Sequence, residues 1–138
     1  MRRLLVAVLI TGFLLDLTGW AGNVYVLGSL WAKAGVLALP WSVLGFVPGF
    51  GLAFVWCLVY RLSSPSWGRS KMQLALVTAG IVWLGGVAMS NIGLVNAAHL
   101  PLGVSMATTL LALVTFVIVA PLLPQLLPDD SFRSRPAA

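Results

Sequence analysis

Apolar residues along this chain form four long segments, and polar breaks separate them. The segments cover residues 4–20, 39–60, 72–94 and 100–123 and together contain one acidic or basic residue, Asp16. A helix rises about 1.5 Å per residue, so about 20 residues cross about 30 Å of hydrocarbon. The pattern predicts an all-α polytopic membrane protein, an up-and-down bundle of four transmembrane helices forming one domain over residues 1–127. Residues 128–138 lose this periodicity and are predicted to be a flexible cytoplasmic tail.

Several local signals indicate how these helices bend and pack. Pro48 predicts a kink within the second segment, because proline removes a backbone donor and cannot continue a regular helix. Glycine lets neighbouring helices approach closely in a bilayer. The glycines expected at helix contacts are Gly12, Gly19, Gly45, Gly49 and Gly86. Residues 24–38 are apolar but leave no room for another crossing, so we expect an interfacial or re-entrant segment there.

Composition agrees with a membrane location. Hydrophobic residues make up 60% of the chain and charged residues 8%, against about 45–50% and about 25% in soluble domains. The net charge of +5 does not indicate nucleic acid, because the basic residues lie between apolar segments instead of forming a cluster. Cys57 is the only cysteine, so the sequence predicts neither a disulfide nor a metal site.

The distribution of basic residues predicts the orientation. Seven of the eight fall on one side of a four-span chain: Arg2, Arg3, Arg61, Arg69, Lys71, Arg133 and Arg135. Only Lys33 lies on the other side. Short cationic loops stay on the cytoplasmic side, so both termini are expected in the cytoplasm of a bacterial or archaeal cell, with the protein in the plasma membrane. The first segment is also similar to a secretory signal, but Asp16 and Trp20 favour a retained helix.

Asp16 is the residue whose position most needs a physical reason. A carboxylate in hydrocarbon costs on the order of 2.5–3.5 kcal/mol, so Asp16 should face the bundle interior and either have a partner or be protonated. On a helix it shares one small and polar stripe with Gly12, Gly19 and Asn23. It precedes Trp20 by one turn, which predicts a depth of about 6 Å below the outer boundary.

The same depth is predicted for a group of polar residues. His99 is the only histidine and lies at the outer end of the fourth segment, and the first and fourth helices of an up-and-down bundle are neighbours. Two asparagines approach from the third helix and its outer loop, and a lysine lies above. The predicted polar cluster consists of Asp16, Lys33, Asn91, Asn96 and His99.

Three interpretations of this cluster remain open. In the first, Asp16 pairs with His99, Lys33 or a partner subunit and stabilises helix packing. In the second, His99 ligates a haem or chlorophyll that lies over Gly103, with Met106 on the same helical stripe. In the third, His99 and Asp16 exchange protons with a quinone head group near the outer face.

No complete catalytic motif occurs in the sequence, which argues against an enzyme. Little chain remains outside the bilayer for an independent domain. We therefore expect a small accessory or structural subunit of a larger membrane complex, of an electron-transfer type, that contacts lipid and either membrane-protein partners or further copies of itself. A haem-, chlorophyll- or quinone-binding protein is the alternative. A small dimeric transporter, suggested by Pro48 and Asp16, is the third possibility.

Overall fold

The computed structural model describes residues 1–35, 46–99 and 101–128, and these residues contain helices and no strand. The helices are α1 (Arg2–Ala21), α2 (Gly28–Lys33), α3 (Phe46–Ser63), α4 (Lys71–Val82), α5 (Met89–Ala98), α6 (Leu102–Val119) and α7 (Leu123–Leu126). Two π-helical turns accompany these helices. Gly22–Val26 continues α1, and Trp83–Ala88 joins α4 to α5. Short 3-10 turns follow α3 at Ser64–Ser66 and join α6 to α7 at Ala120–Leu122.

Four of the resulting continuous helices are long and apolar enough to cross a membrane. They are Arg2–Val26, Val47–Ser66, Lys71–Gly93 and Leu102–Leu126. The predicted all-α chain with four such helices is therefore confirmed. Helix α1 packs against α3 and α6, and α4 also packs against α3 and α6, which is the neighbour pattern of a four-helix bundle.

The first long helix extends beyond the predicted end at residue 20. Gly22 is buried, and a Cβ there would lie 2.7 Å from the side chain of Leu111 on α6. The Asn23 Nδ2 donates to the Gly19 carbonyl oxygen within the helix, at 2.9 Å. Residues up to Val26 therefore belong to this helix, which corrects the prediction that an interfacial segment begins at residue 24.

Helix α2 folds back against the end of α1. The Trp31 Nε1 donates to the Asn23 Oδ1 at 3.1 Å, so this partly buried donor has an acceptor on the preceding element. Residues 28–33 form the short helix that follows the first span. The last part of the predicted interfacial segment, residues 36–38, lies outside the described residues.

Helix α3 begins within the described residues at Phe46, so Pro48 lies in its first described turn. Proline is compatible with a first turn, where its missing N–H removes no intrahelical bond. A kink at Pro48 requires helix on both sides of that residue, but the preceding residues 36–45, which include Gly45, lie outside the described residues. The kink at Pro48 and the helix contact at Gly45 therefore stay predictions. At its other end the span continues beyond residue 60 to Ser66.

Buried side chains concentrate at one end of the bundle, where α1 and α4 begin and where α3 and α7 end. We call this region the closed half. Its centre is Trp56, fully buried, whose ring lies 5.0 Å from that of Phe116. Alanines occupy many of the surrounding contacts, and all of the following are at most 1% exposed: Ala7, Ala53, Ala75, Ala79 and Ala120. Small residues let helices approach closely, which in a bilayer supplies much of the packing attraction.

A hydrogen bond between side chains connects α3 to α4 within the closed half. The buried Trp56 Nε1 donates to the Thr78 Oγ1 at 3.0 Å, and the Thr78 hydroxyl donates in turn to the Leu74 carbonyl oxygen at 2.8 Å. This arrangement satisfies the indole N–H without water. A buried donor that lost its acceptor would be destabilising.

We predict that Thr78→Val destabilises the bundle, because the Trp56 N–H then has no acceptor. A double-mutant cycle with Trp56→Phe should give a coupling free energy of about 0.6–2 kcal/mol, the range found for interhelical bonds in membranes. The measurement is the free energy of unfolding in mixed detergent and SDS micelles. Thr108→Val is the matched control, because the Thr108 hydroxyl donates only to carbonyls of its own helix; equal losses in both threonine variants would contradict the prediction.

Candidate functional site

Asp16 lines a small cavity between α1, α3 and α6, which we call the Asp16 cavity. Its volume is about 160 Å³. Its lining residues are Leu15, Asp16, Gly19, Pro48, Gly49, Leu52, Val87, Ala112, Thr115 and Phe116. Apart from Asp16, this lining is apolar except for the Thr115 hydroxyl.

The carboxyl group of Asp16 packs directly on the backbone of α3. A Cβ built at Gly49 would overlap the Asp16 carboxylate atoms, so this close approach requires glycine at position 49. The Asp16 Oδ2 is buried and has no hydrogen-bond partner among the described residues. A buried polar atom of this kind is rare in native proteins, and an ionisable residue within a long apolar helix is a candidate functional residue.

Asp16 lies farther from the end of its helix than the predicted end at residue 20 implies. The continuous helix that contains α1 runs on to Val26, so Asp16 is about 15 Å from that end, whereas it precedes Trp20 by about 6 Å. On α6 its neighbours Ala112 and Thr115 lie about 15–20 Å beyond the start of that helix at Leu102. Asp16 is therefore close to the middle of the bundle.

A second and larger cavity lies between α5 and α6, and we call it the Asn91 cavity. Its volume is about 300 Å³. The residues around it are Trp83, Ala88, Asn91, Ile92, Val95, Asn96, Leu102, Ser105, Met106, Thr109 and Leu110. Four of its apolar residues are more than half exposed, namely Ile92, Leu102, Met106 and Leu110. The cavity therefore opens on the side of the bundle and not on an enclosed interior.

Hydrogen bonds at the base of the Asn91 cavity connect α5 to α6. The Asn91 Nδ2 donates to the Thr109 Oγ1 at 2.7 Å, and the Thr109 hydroxyl donates to the Ser105 carbonyl oxygen at 2.7 Å. The Trp83 Nε1 donates to the Thr109 carbonyl oxygen at 2.8 Å. The Thr109 hydroxyl thus donates one hydrogen bond and accepts another, whereas the Asn91 Oδ1 and its second N–H make no hydrogen bond to the described residues.

The π-helical turn at Trp83–Ala88 ends just before α5, the helix that contains Asn91. Such turns contain one extra residue, and they occur frequently at functional sites because they alter the direction of the following side chains. Here the turn contributes Trp83 and Ala88 to the Asn91 cavity and Val87 to the Asp16 cavity. It therefore links the two sites along one helix.

The structure distributes the predicted polar cluster over several places. Asp16 lines one cavity, while Asn91 and Asn96 line the other. His99 is exposed at the end of α5, lines neither cavity and has a left-handed backbone conformation, with φ of 52°. Lys33 is exposed at the end of α2.

The predicted stripe of His99, Gly103 and Met106 requires a correction. Helix α6 begins at Leu102, so His99 precedes that helix and does not share its periodicity with the other two residues. Gly103 is exposed, with nothing within 4 Å of a Cβ built there. Met106 alone of the three lines the Asn91 cavity.

The glycines expected at helix contacts differ in their surroundings. A Cβ at Gly12 would lie 2.5 Å from Phe50 on α3, and one at Gly86 would lie 2.5 Å from Leu52. Gly19 has nothing within 4 Å of a Cβ and instead lines the Asp16 cavity.

Metal binding has no support in the described residues, which contain no group of three His, Cys, Asp or Glu side chains that could hold an ion. Sequence reasoning missed the roles of Trp83, Ser105 and Thr109 at the Asn91 cavity. A serine or threonine in an apolar helix usually bonds to its own backbone, so Ser105 and Thr109 do not indicate a site in the sequence. Their roles depend on the packing of α5 against α6.

We predict that Gly49→Ala destabilises the bundle by about 1–3 kcal/mol, because the new methyl group would overlap the Asp16 carboxyl and separate α1 from α3. Unfolding in SDS micelles would measure this loss. Gly51→Ala is the control, since a Cβ there meets nothing within 4 Å and the change should leave stability equal or higher. Adding Asp16→Ala should restore part of the loss, and a Gly49→Ala variant as stable as the wild type would contradict the described contact.

Comparison with known proteins adds no assignment: no family model matches this sequence, and neither a curated protein nor a solved structure is significantly similar to it.

Proposed function

We propose that this chain is an integral membrane protein that crosses the bilayer four times, with both termini in the cytoplasm. Four long apolar helices support insertion. Arg2 and Arg3 begin α1, while Arg61, Arg69 and Lys71 lie where α3 ends and α4 begins. Because these positions lie at the same end of the bundle, the positive-inside rule assigns that end to the cytoplasm.

We further propose that the protein binds a small lipid-soluble molecule with a hydrogen-bonding head group, of the quinone class, in the Asn91 cavity. The lateral opening of that cavity carries this proposal. A ligand that enters from lipid needs an apolar path, which Ile92, Leu102 and Leu110 provide, and a polar group at the end of it, which Asn91 provides. Mostly apolar cavities of about 300 Å³ or more with a few polar groups are the usual sites of such ligands.

Amide groups suit a quinone head group. A quinone accepts hydrogen bonds at its two carbonyl oxygens, and its reduced form donates them. The amides of Asn91 and Asn96 contain both donors and acceptors, so they can bind either form. Haem and chlorophyll have less support, because His99, their expected axial ligand, lies outside the cavity.

A role as an accessory subunit is the second candidate, and an observation on the π-helical turn and α5 favours it. Gly85 and Gly93 are exposed, with nothing within 4 Å of a Cβ at either position. Exposed glycine on a transmembrane helix gives a partner helix room to approach closely. The two roles are compatible, because a subunit that holds a quinone beside a partner would serve an electron-transfer assembly.

The proposed topology predicts a difference between two exposed serines. In a Cys57→Ala background, Ser29→Cys in α2 should react with a membrane-impermeant maleimide added to intact cells, whereas Ser66→Cys should react only after the membrane is permeabilised. Both serines are exposed, so accessibility through the bilayer is the only difference measured. The reverse pattern would invert the proposed orientation, and reaction of both from outside would contradict the four-span arrangement.

Ligand binding predicts saturable quenching of tryptophan fluorescence by a short-chain ubiquinone analogue, since Trp83 lines the cavity. Asn91→Leu should weaken the apparent Kd by about 3- to 30-fold, equivalent to losing about 0.6–2 kcal/mol of hydrogen bonding. Asn23→Leu provides the same substitution outside the cavity and should leave the Kd unchanged. Linear, unsaturable quenching, or equal weakening by both variants, would exclude a quinone site here.

A further inference from the structure

Asp16 is a titratable group that the proposed ligand site does not use. It lies near mid-bundle, its Oδ2 has no hydrogen-bond partner among the described residues, and a cavity of about 160 Å³ adjoins it. A cavity of this size has room for several water molecules. An ionisable residue at this depth is expensive to retain and is a functional candidate by default.

Among the described residues, no cation lines the cavity beside the carboxyl group. The residues that line the cavity from α3, from the π-helical turn and from α6 are neutral: Pro48, Gly49, Leu52, Val87, Ala112, Thr115 and Phe116. The nearest titratable group on α3 is the Cys57 thiol, which faces Thr11. Arg2 and Arg3 on α1 lie about 20 Å away along the helix. Residues 36–45, outside the described part, contain no ionisable residue.

The side chains that line the cavity offer the Asp16 carboxyl group no free hydrogen-bond donor. The Thr115 hydroxyl, the one side-chain hydroxyl among the lining residues, already donates to the Leu111 carbonyl oxygen at 3.1 Å. A carboxylate only accepts hydrogen bonds, so the lining side chains leave its charge uncompensated, and the Asp16 Oδ2 has no partner among the described residues.

We propose that Asp16 is a reversible proton-binding site within the bundle. The acid form removes the cost of a bare charge in apolar surroundings. Its ionisation would place a charge beside Gly49, at the contact of α1 with α3, and would draw water or a cation into the cavity. Proton release is thereby coupled to the packing of these two helices.

Reaction with a hydrophobic carbodiimide in membranes tests this proposal on the wild-type chain. The acid O–H adds across one C=N bond of the reagent: the proton goes to nitrogen, the carboxyl oxygen bonds to carbon, and the resulting O-acylisourea rearranges to a stable N-acylurea without losing an atom. The reagent needs the protonated acid. Peptide mass spectrometry then locates the adduct.

The chain contains its own reference groups, because its three acidic residues are Asp16, Asp129 and Asp130. At a pH of about 8, where ordinary carboxyl groups are ionised, we expect labelling at Asp16 at least about tenfold faster than at the two tail aspartates. A water-soluble carbodiimide at acid pH should show the opposite preference. Asp16→Asn should abolish the adduct and remove one protonated-carboxyl C=O band from the infrared spectrum.

Two results would overturn the proposal. One is a folded wild-type protein in which Asp16 reacts no faster than the tail aspartates, since Asp16 would then be ionised or paired with a cation of another chain. The other is protection of Asp16 by Na⁺ or Li⁺ at constant pH, which would assign a metal cation to the site. Neither result bears on quinone binding at Asn91, so the two proposals are tested separately.

Discussion

The need to satisfy every polar group inside apolar surroundings governs this bundle. An unpaired polar group away from water costs several kcal/mol, and the described helices meet this requirement in two ways. Threonines such as Thr108 and Thr115 donate to carbonyls of their own helix. Trp56 and Trp83 donate to a neighbouring helix. Asp16 departs from this rule, and for that reason its cavity is the most informative place in the molecule.

Packing is uneven along the bundle: the tightly packed residues and the proposed binding site lie toward opposite ends. The closed half combines alanines with large rings such as Trp56 and Phe116, so its helices approach closely and its interior is filled. The Asn91 cavity lies toward the other end, where α5 and α6 are held by hydrogen bonds at Thr109. Under the proposed function, a ligand would enter between these two helices without disturbing the packed half that holds the bundle together.

Asp16 and Asn91 offer different chemistry. The Asp16 cavity is small, neutral apart from its carboxyl group and suited to a proton. The Asn91 cavity is larger, opens on the side of the bundle and presents amides to an apolar path. The helix that runs from α4 through the π-helical turn to α5 contributes residues to both. A change at one cavity that shifts this helix would therefore also move residues that line the other cavity.

The sequence by itself determined the helical class, the number of long apolar helices and the identity of the polar residues, because hydrophobicity over about 20 residues is a local property that depends little on neighbours. It did not determine the end of α1, since the helix continues to Val26 where Gly22 packs against Leu111 on a distant part of the chain. Nor did it predict which polar residues meet: Asp16 and His99 were expected at one level, yet the extension of α1 and the start of α6 at Leu102 separate them. Contacts such as Asn91 with Thr109 depend on how two helices are rotated and shifted against each other, and only the tertiary structure decides that.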